Sequence, residues 1–237
     1  MPRASRLEHY RREVSRVEGF SDAVFAFAIT LLVVSLEVPK TYHELMAVMR
    51  GFPAFAICFA LLFQVWWRHY KFFRRYDLED HWVIALTGAL LFVVLFYTYP
   101  LKFVWSLPFA SIEGRQMTDD VITIAEAPNL FFIYGAGVIA VFTILALLYT
   151  RAYRLREMLE LSAEESLIAR LEIYSNLAIA SIGVLSIVVA AICGRFAPTS
   201  VGLAGYVYSL IGVSEWRIGE YRGRALEKLS TRDTSPA

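Results

Sequence analysis

The chain has 237 residues, of which 57% are hydrophobic and 15% aromatic, and its net charge at pH 7 is +1. Soluble domains usually carry about 25% charged residues, whereas this chain carries 19%. The near-zero net charge argues against nucleic acid as a partner, since binding it needs a basic surface, and the apolar excess indicates an integral membrane protein.

Six segments have the length and apolar character that a helix needs to cross a bilayer, for which roughly 20 apolar residues suffice. In chain order they cover residues 20–38, 52–67, 82–99, 130–149, 173–193 and 201–216. Several are apolar on every face, unlike the alternating strands of a membrane barrel. The predicted fold is an all-α membrane protein with six transmembrane helices.

The basic residues predict the direction of these spans. Eighteen of the 23 lysines and arginines lie before the first span, between the second and third, between the fourth and fifth, or after the sixth. The other connections hold the remainder, Lys40, Arg50, Lys102, Arg115 and Arg195. Basic residues accumulate on the cytoplasmic side, so both termini are predicted to be cytoplasmic. The chain then divides into an N-terminal arm (1–19), a membrane domain (20–217) and a C-terminal tail (218–237).

The connections between the spans carry their own expectations. Residues 42–50 have the composition of a short helix at the membrane interface. The acidic segment 106–128 is expected to be a solvated loop outside the cytoplasm, with an acidic vestibule that concentrates cations near an entrance as the alternative. Residues 151–170 are rich in helix formers, so the fourth and fifth helices are expected to extend beyond the bilayer.

Asp22 is the clearest ionisable residue within a predicted span, about one turn into the first helix. A carboxylate in lipid is costly and points to a function or a specific partner. Two interpretations stay open: a polar cluster that locks helices together, or a group in ion conduction or proton transfer. The candidate partners at the same depth are Arg16, Ser21, Arg68, His69, Ser175 and Asn176.

The first span also carries an unbroken apolar stripe, formed by Phe20, Val24, Phe27, Leu31 and Val34. By pattern alone such a stripe is more typical of a lipid-facing or core surface than of a pore. The sequence lacks the T-V-G-Y-G filter of the usual potassium channels, and it lacks phosphate-loop, zinc-helix and nucleophile-elbow motifs. We therefore predict no enzyme activity, no catalytic residues, no metal site and no cofactor.

Two motifs resemble those of one known family. Residues 16–22, Arg-Val-Glu-Gly-Phe-Ser-Asp, are similar to the R-x-x-x-F-S-D signature at the start of the first helix in the transmembrane protein 175 family. Residues 66–73 are similar to the family's W-x-x-H-x-x-x-F stretch. This family comprises endolysosomal potassium channels and their prokaryotic homologues.

The resemblance implies a homotetramer in a prokaryotic plasma membrane, with the first helix of each subunit lining a central pore. It implies passive, potassium-preferring conduction of monovalent cations, with membrane lipids as the surroundings. The constriction would be built from Phe27, Leu31 and Val34, with Thr30 as a threonine layer. Phe27 departs from the isoleucine or leucine usual in the family. A packing network would hold the pore helix, formed by Arg16, Phe20, Ser21, Asp22, Trp66 and His69.

Two alternatives remain beside the channel. A proton-linked secondary transporter would use Asp22 and His69, and its uptake would be saturable and coupled to protons. A non-conducting structural membrane protein would need no symmetric assembly. Oligomeric state separates the last class from a channel, because a monomer has no axis around which a first-helix pore can form.

Overall fold

The computed structural model describes residues 14–34, 39–112, 123 and 126–233, and its regular structure within these ranges is helical. Short 3-10 turns lie at Pro198–Ser200 and Val207–Ser209. The α-helices are α1 (Arg16–Val34), α2 (Tyr42–Arg50), α3 (Phe52–Tyr76), α4 (His81–Ile112), α5 (Ala127–Arg154), α6 (Ala163–Phe196), α7 (Leu203–Tyr206) and α8 (Leu210–Asp233).

Three of the described helices are long and apolar enough to cross a membrane. They are α5, α6 and the part of α4 from residue 81 to 106. Helices α2 and α3 meet the same criterion as a pair bent by 44°, which gives up to four candidate spans. The predicted first span runs on to residue 38, beyond the described end of α1, so the count of six stays a prediction.

Helix α4 corrects the expected boundary of the acidic loop. That loop was expected from residue 106, but the helix continues to Ile112 through Pro100 and Pro108. Proline removes one backbone hydrogen bond, yet helices in membranes tolerate it where neighbouring groups satisfy the freed carbonyl. The rest of the loop lies outside the described residues, apart from Thr123 and the start of the next helix.

The predicted sixth span, residues 201–216, is not one regular α-helix. It contains α7, a 3-10 turn and the first turns of α8. Gly202, Gly205 and Gly212 lower the helix preference of this segment. The chain nevertheless keeps right-handed dihedral angles at its junctions, as at Gly202 (φ −55°, ψ −21°) and Leu210 (φ −63°, ψ −19°).

Helices α5 and α6 pack closely because glycines meet where they touch. A Cβ atom on Gly135 would lie 2.6 Å from Ile187 Cγ1 and 3.2 Å from the carbonyl oxygen of Gly183. Small residues permit this approach, which dispersion and backbone contacts then stabilise in membranes. Helix α1 packs on the other side of the bundle, against α3 and α4.

The connection between α5 and α6 confirms the expected helical extensions. Helix α5 continues past the predicted span to Arg154, and α6 begins at Ala163, well before residue 173. Ser162 starts α6 with a capping box: its Oγ accepts from the Glu165 N–H at 3.2 Å, and its own N–H donates to Glu165 Oε2 at 2.9 Å. This reciprocal pair fixes the turn.

Asp80 fixes the start of α4 and ties it to α5. Its Oδ1 accepts from the Val83 N–H at 2.9 Å, as an N-cap does, and its Oδ2 accepts from Arg151 Nε at 2.7 Å. Partial burial raises the pKa of Asp80, but these hydrogen bonds outweigh it and hold the pKa below its ordinary value.

We expect Asp80→Ala to lower the free energy of unfolding by about 1 kcal/mol more than Asp80→Asn, because asparagine keeps the cap and loses only the ion pair. A carboxylate with a depressed folded-state pKa stabilises the protein above its unfolded pKa, near 4. That contribution is lost as the pH falls through the folded-state pKa. Thermal unfolding in detergent at pH 7 and at decreasing pH measures both effects. Equal loss in both variants at pH 7 would exclude the capping role.

Candidate functional site

Helix α1 has one face packed within the chain and one face exposed. Ser21, Phe25, Ala28 and Leu32 recur every three or four residues and are at most 1% exposed, which is the pattern of a buried helix face. The opposite face is open: Phe27 is 56% exposed, although Phe25, two residues before it, is buried.

The predicted pore residues lie largely on this open face. Phe27 and Thr30 are exposed, and Leu31 is half-buried. The Thr30 hydroxyl donates to the carbonyl of Ala26 at 2.8 Å, within its own helix. The side chain of Val34 lies outside what the structure describes. Within the chain, α3 and α4 therefore leave Phe27 and Thr30 uncovered.

Asp22 is held by a tryptophan of α3. Trp66 Nε1 donates to Asp22 Oδ1 at 2.7 Å. The neighbouring Ser21 is fully buried, and its hydroxyl donates to the Val17 carbonyl at 2.7 Å. A hydrogen bond to a carboxylate is stronger than one between neutral groups, so this contact anchors the beginning of α1 to α3.

His69 lies against α1 one turn further along. Its ring centroid is 5.8 Å from that of Phe25 and 4.8 Å from that of Phe73, and the residue is 1% exposed. Nε2 of His69 has no hydrogen-bond partner within the described ranges. The imidazole therefore contributes as a packed aromatic ring between α1 and α3.

Some of the residues in the predicted packing network contact one another within the chain, and others do not. Asp22 contacts Trp66, while His69 packs on the buried face of α1. Arg16 and Phe20 lie on exposed positions instead. No described hydrogen bond or ion pair joins either of them to Asp22.

Three of the expected partners of Asp22 belong to a different site. Arg68, Ser175 and Asn176 do not contact the aspartate; they lie together between α3 and α6, where Arg68 Nη1 is 3.0 Å from Ser175 Oγ and 3.4 Å from Asn176 Oδ1. Two carboxylates complete the arginine's surroundings, with Nη2 2.8 Å from Glu215 Oε2 and Nη1 3.5 Å from Glu172 Oε2.

We call this group the Arg68 cluster; it consists of Arg68, Lys71, Glu172, Ser175, Asn176 and Glu215. Glu172 also accepts from Lys71 Nζ at 2.9 Å, and Ser175 donates to Glu215. Tyr149 of α5 donates to the carbonyl of Arg68 at 3.0 Å. Helices α3, α6 and α8 therefore meet at one buried guanidinium, which such paired and hydrogen-bonded charges can stabilise, and Tyr149 joins α5 to the backbone of α3 beside it.

Sequence reasoning missed both carboxylates of the Arg68 cluster. Glu215 lies inside the predicted sixth span and Glu172 directly precedes the fifth. Asp22 was selected because it is a carboxylate inside a predicted span. Glu215 meets the same criterion, which would have predicted a cationic partner for it.

The far end of α1 has a separate anchor on α4. Lys102 Nζ donates to the carbonyl oxygen of Leu32 at 3.0 Å. A basic group near the last turns of a helix interacts favourably with the carbonyl dipoles there. Helix α1 is thus fixed at its start by Trp66 and near its described end by Lys102, with the face of Phe27 left open between them.

Comparison with known proteins gives a consistent result. The family model of the endosomal/lysosomal potassium channel TMEM175 matches residues 16–97, which contain both motifs. A protein named potassium channel from Marivirga tractuosa is 38% identical over 208 residues, 84% of this chain and 83% of the relative. A potassium channel from Chamaesiphon minutus is 34% identical over 96 residues, 37% of this chain and 47% of the relative.

A solved structure resembles the whole fold. It is the crystal structure of a threonine-to-alanine variant of the potassium channel MtTMEM175, in complex with a nanobody–MBP fusion protein. The two chains are 36% identical with a TM-score of 0.77, over 90% of this chain and 95% of that chain. The resemblance inferred from the two motifs is confirmed: this chain belongs to the TMEM175 potassium-channel family.

Proposed function

We propose that the chain is one subunit of a homotetrameric, potassium-preferring cation channel whose central pore is lined by α1. The observation that carries the proposal is the open face of α1, since Phe27 is 56% exposed in the subunit while the helix is fixed on its other side. In a membrane such a face contacts either lipid or another protein surface; the likeness of the chain to a potassium-channel structure supports a protein partner. In a symmetric assembly that partner is the same face of the other subunits.

The chemistry of this face suits a hydrophobic constriction. Rings of Phe27 and Leu31 side chains would narrow the path and expel water when closed. Aromatic faces also attract monovalent cations, so phenylalanine at this level does not exclude conduction. Such a pore conducts passively, with potassium as the permeant ion and without a cofactor or a catalytic group.

The proposed membrane arrangement has six spans per subunit and both termini in the cytoplasm. The Arg68 cluster supports it, because Arg68, Tyr149, Glu172 and Glu215 come from four helices and meet at one level. In the predicted topology all four positions lie at the cytoplasmic ends of their helices. The bacterial source of the relatives agrees with a plasma-membrane location.

We expect purified protein in liposomes to release potassium above the rate of protein-free vesicles, and Phe27→Ile to conduct as well, because isoleucine keeps the apolar ring with less bulk. A potassium-sensitive dye measures the flux, and native mass spectrometry measures the subunit number. Absence of flux from both proteins, or a monomer in mild detergent, would contradict the proposal.

The same preparation separates a channel from a proton-linked transporter. Asp22→Asn keeps an oxygen that accepts the hydrogen bond from Trp66, so a channel retains its flux in this variant. Saturable, proton-coupled uptake that Asp22→Asn abolishes would favour the transporter instead.

A further inference from the structure

A groove of about 350 Å³ lies between the beginning of α4 and the end of α5, and its lining residues include none from α1. Its lining residues are Trp82, Leu86, Leu147, Thr150, Arg151 and Arg154. Aliphatic and aromatic carbon forms most of the wall, and two guanidinium groups stand at its rim. This combination matches an amphipathic ligand with a negatively charged head.

The two arginines at the rim differ in their pairing. Arg151 is bound to Asp80, with Nη2 2.5 Å from Oδ2, so its guanidinium is held in place. Arg154 is exposed and has no carboxylate partner in the ranges 14–34, 39–112 and 126–233. The rim therefore carries one positive charge that the described residues do not balance. An anion is the complementary ligand.

The hydroxyl of Thr150 donates its hydrogen bond to the Ala146 carbonyl at 2.7 Å, so it does not donate to a ligand in the groove. Recognition of a head group thus falls to the arginines. Below them, Leu147 is 47% exposed and continues the groove towards the middle of a candidate span. An acyl chain fits this part of the surface, whereas a small inorganic anion would leave it uncovered.

The depth of the groove in the membrane favours a lipid. Trp82 lies in the first turn of α4 and is 67% exposed, and Arg154 ends α5. Exposed tryptophan is typical of the level of lipid head groups. Basic pockets between helices at this level bind acidic phospholipid heads.

We propose that this groove is a binding site for an anionic phospholipid, with the phosphate on Arg154 and Arg151, the glycerol region beside Trp82, and an acyl chain along Leu86 and Leu147. The site lies on the outer side of α5, and Tyr149 on the same helix turn holds the Arg68 carbonyl on the inner side. A bound lipid would therefore brace the end of α5 against α4.

Native mass spectrometry of the full chain in mild detergent, titrated with dioleoyl phosphatidylglycerol and with dioleoyl phosphatidylcholine, tests the site. We expect phosphatidylglycerol, which is anionic, to bind more tightly than phosphatidylcholine, whose head group is zwitterionic. Arg154→Gln should weaken the phosphatidylglycerol affinity about fivefold, the effect of one basic residue near an acidic head group. Arg154→Lys should keep most of the affinity because it keeps the charge.

Arg170→Gln is the matched control, since Arg170 is exposed on α6 and does not line the groove. It should leave the affinity for phosphatidylglycerol unchanged. Equal affinity for the two lipids, or equal losses in Arg154→Gln and Arg170→Gln, would overturn the proposal. Full competition by glycerol 3-phosphate alone would also overturn it, because the groove would then be an anion site without an acyl-chain contact.

Discussion

Replacing Arg68 with methionine is expected to lower the free energy of unfolding by about 3–5 kcal/mol, the range for removing one partner of a buried ion pair. The side chain of Arg68 is 5% exposed, and that of its partner Glu172 is 8% exposed. Methionine fills much of the volume but removes the central cation: Glu172 keeps its contact with Lys71 Nζ at 2.9 Å, whereas Glu215 loses its ion pair with Arg68. The loss should appear as a lower midpoint of thermal unfolding in detergent, measured by intrinsic fluorescence.

A second variant separates charge from packing. Changing Arg68 to methionine together with Glu215→Gln removes the carboxylate that loses its ion pair, and we expect this double variant to be more stable than Arg68→Met alone. Arg74→Met on the same helix is the matched control, since Arg74 lies 6.0 Å from the centroid of the Tyr70 ring and forms no ion pair with a residue that the structure describes. A small effect of Arg68→Met, similar to that of Arg74→Met, would show that the cluster contributes little to stability.

The Arg68 cluster also shows where inference from sequence stops. Hydropathy gives the depth of a residue in the membrane, and at similar depth Arg68 was a reasonable partner for Asp22. Depth says nothing about direction around the helix axis. Successive residues turn by about 100°, so Trp66 and Arg68 point to nearly opposite sides of α3. Trp66 therefore reaches Asp22, and Arg68 reaches α6 and α8.

The same geometry explains where His69 lies. His69 follows Trp66 by three residues, which returns it to the side of α3 that faces α1, where it packs on Phe25. Hydropathy alone also located the long helices α5 and α6. It did not reveal the 3-10 turns before α8, because glycine and tertiary contacts set the local helix type there.

Phe27→Ser is expected to raise the potassium flux of reconstituted protein by tenfold or more. If the open faces of α1 surround the pore, the phenylalanine rings form its narrowest apolar part, and water leaves such a segment readily. A hydroxyl in place of each ring widens the path and lets water remain. A tenfold rise corresponds to a barrier lower by about 1.4 kcal/mol, a modest demand for the removal of one ring from every subunit. Flux per folded tetramer, from a potassium-sensitive dye and native mass spectrometry, is the measurement.

Phe25→Leu is the control that the chain itself offers, because Phe25 is the same residue type two positions away on the buried face of α1. Its ring packs on His69, with centroids 5.8 Å apart, so the change should cost about 1 kcal/mol of stability and leave the flux per tetramer within twofold. An unchanged flux in folded Phe27→Ser tetramers, or an equal rise in Phe25→Leu, would mean that the open face of α1 does not line the pore. The comparison depends only on direction around one helix, which is the property that distinguishes a pore-lining residue from a core residue at the same depth.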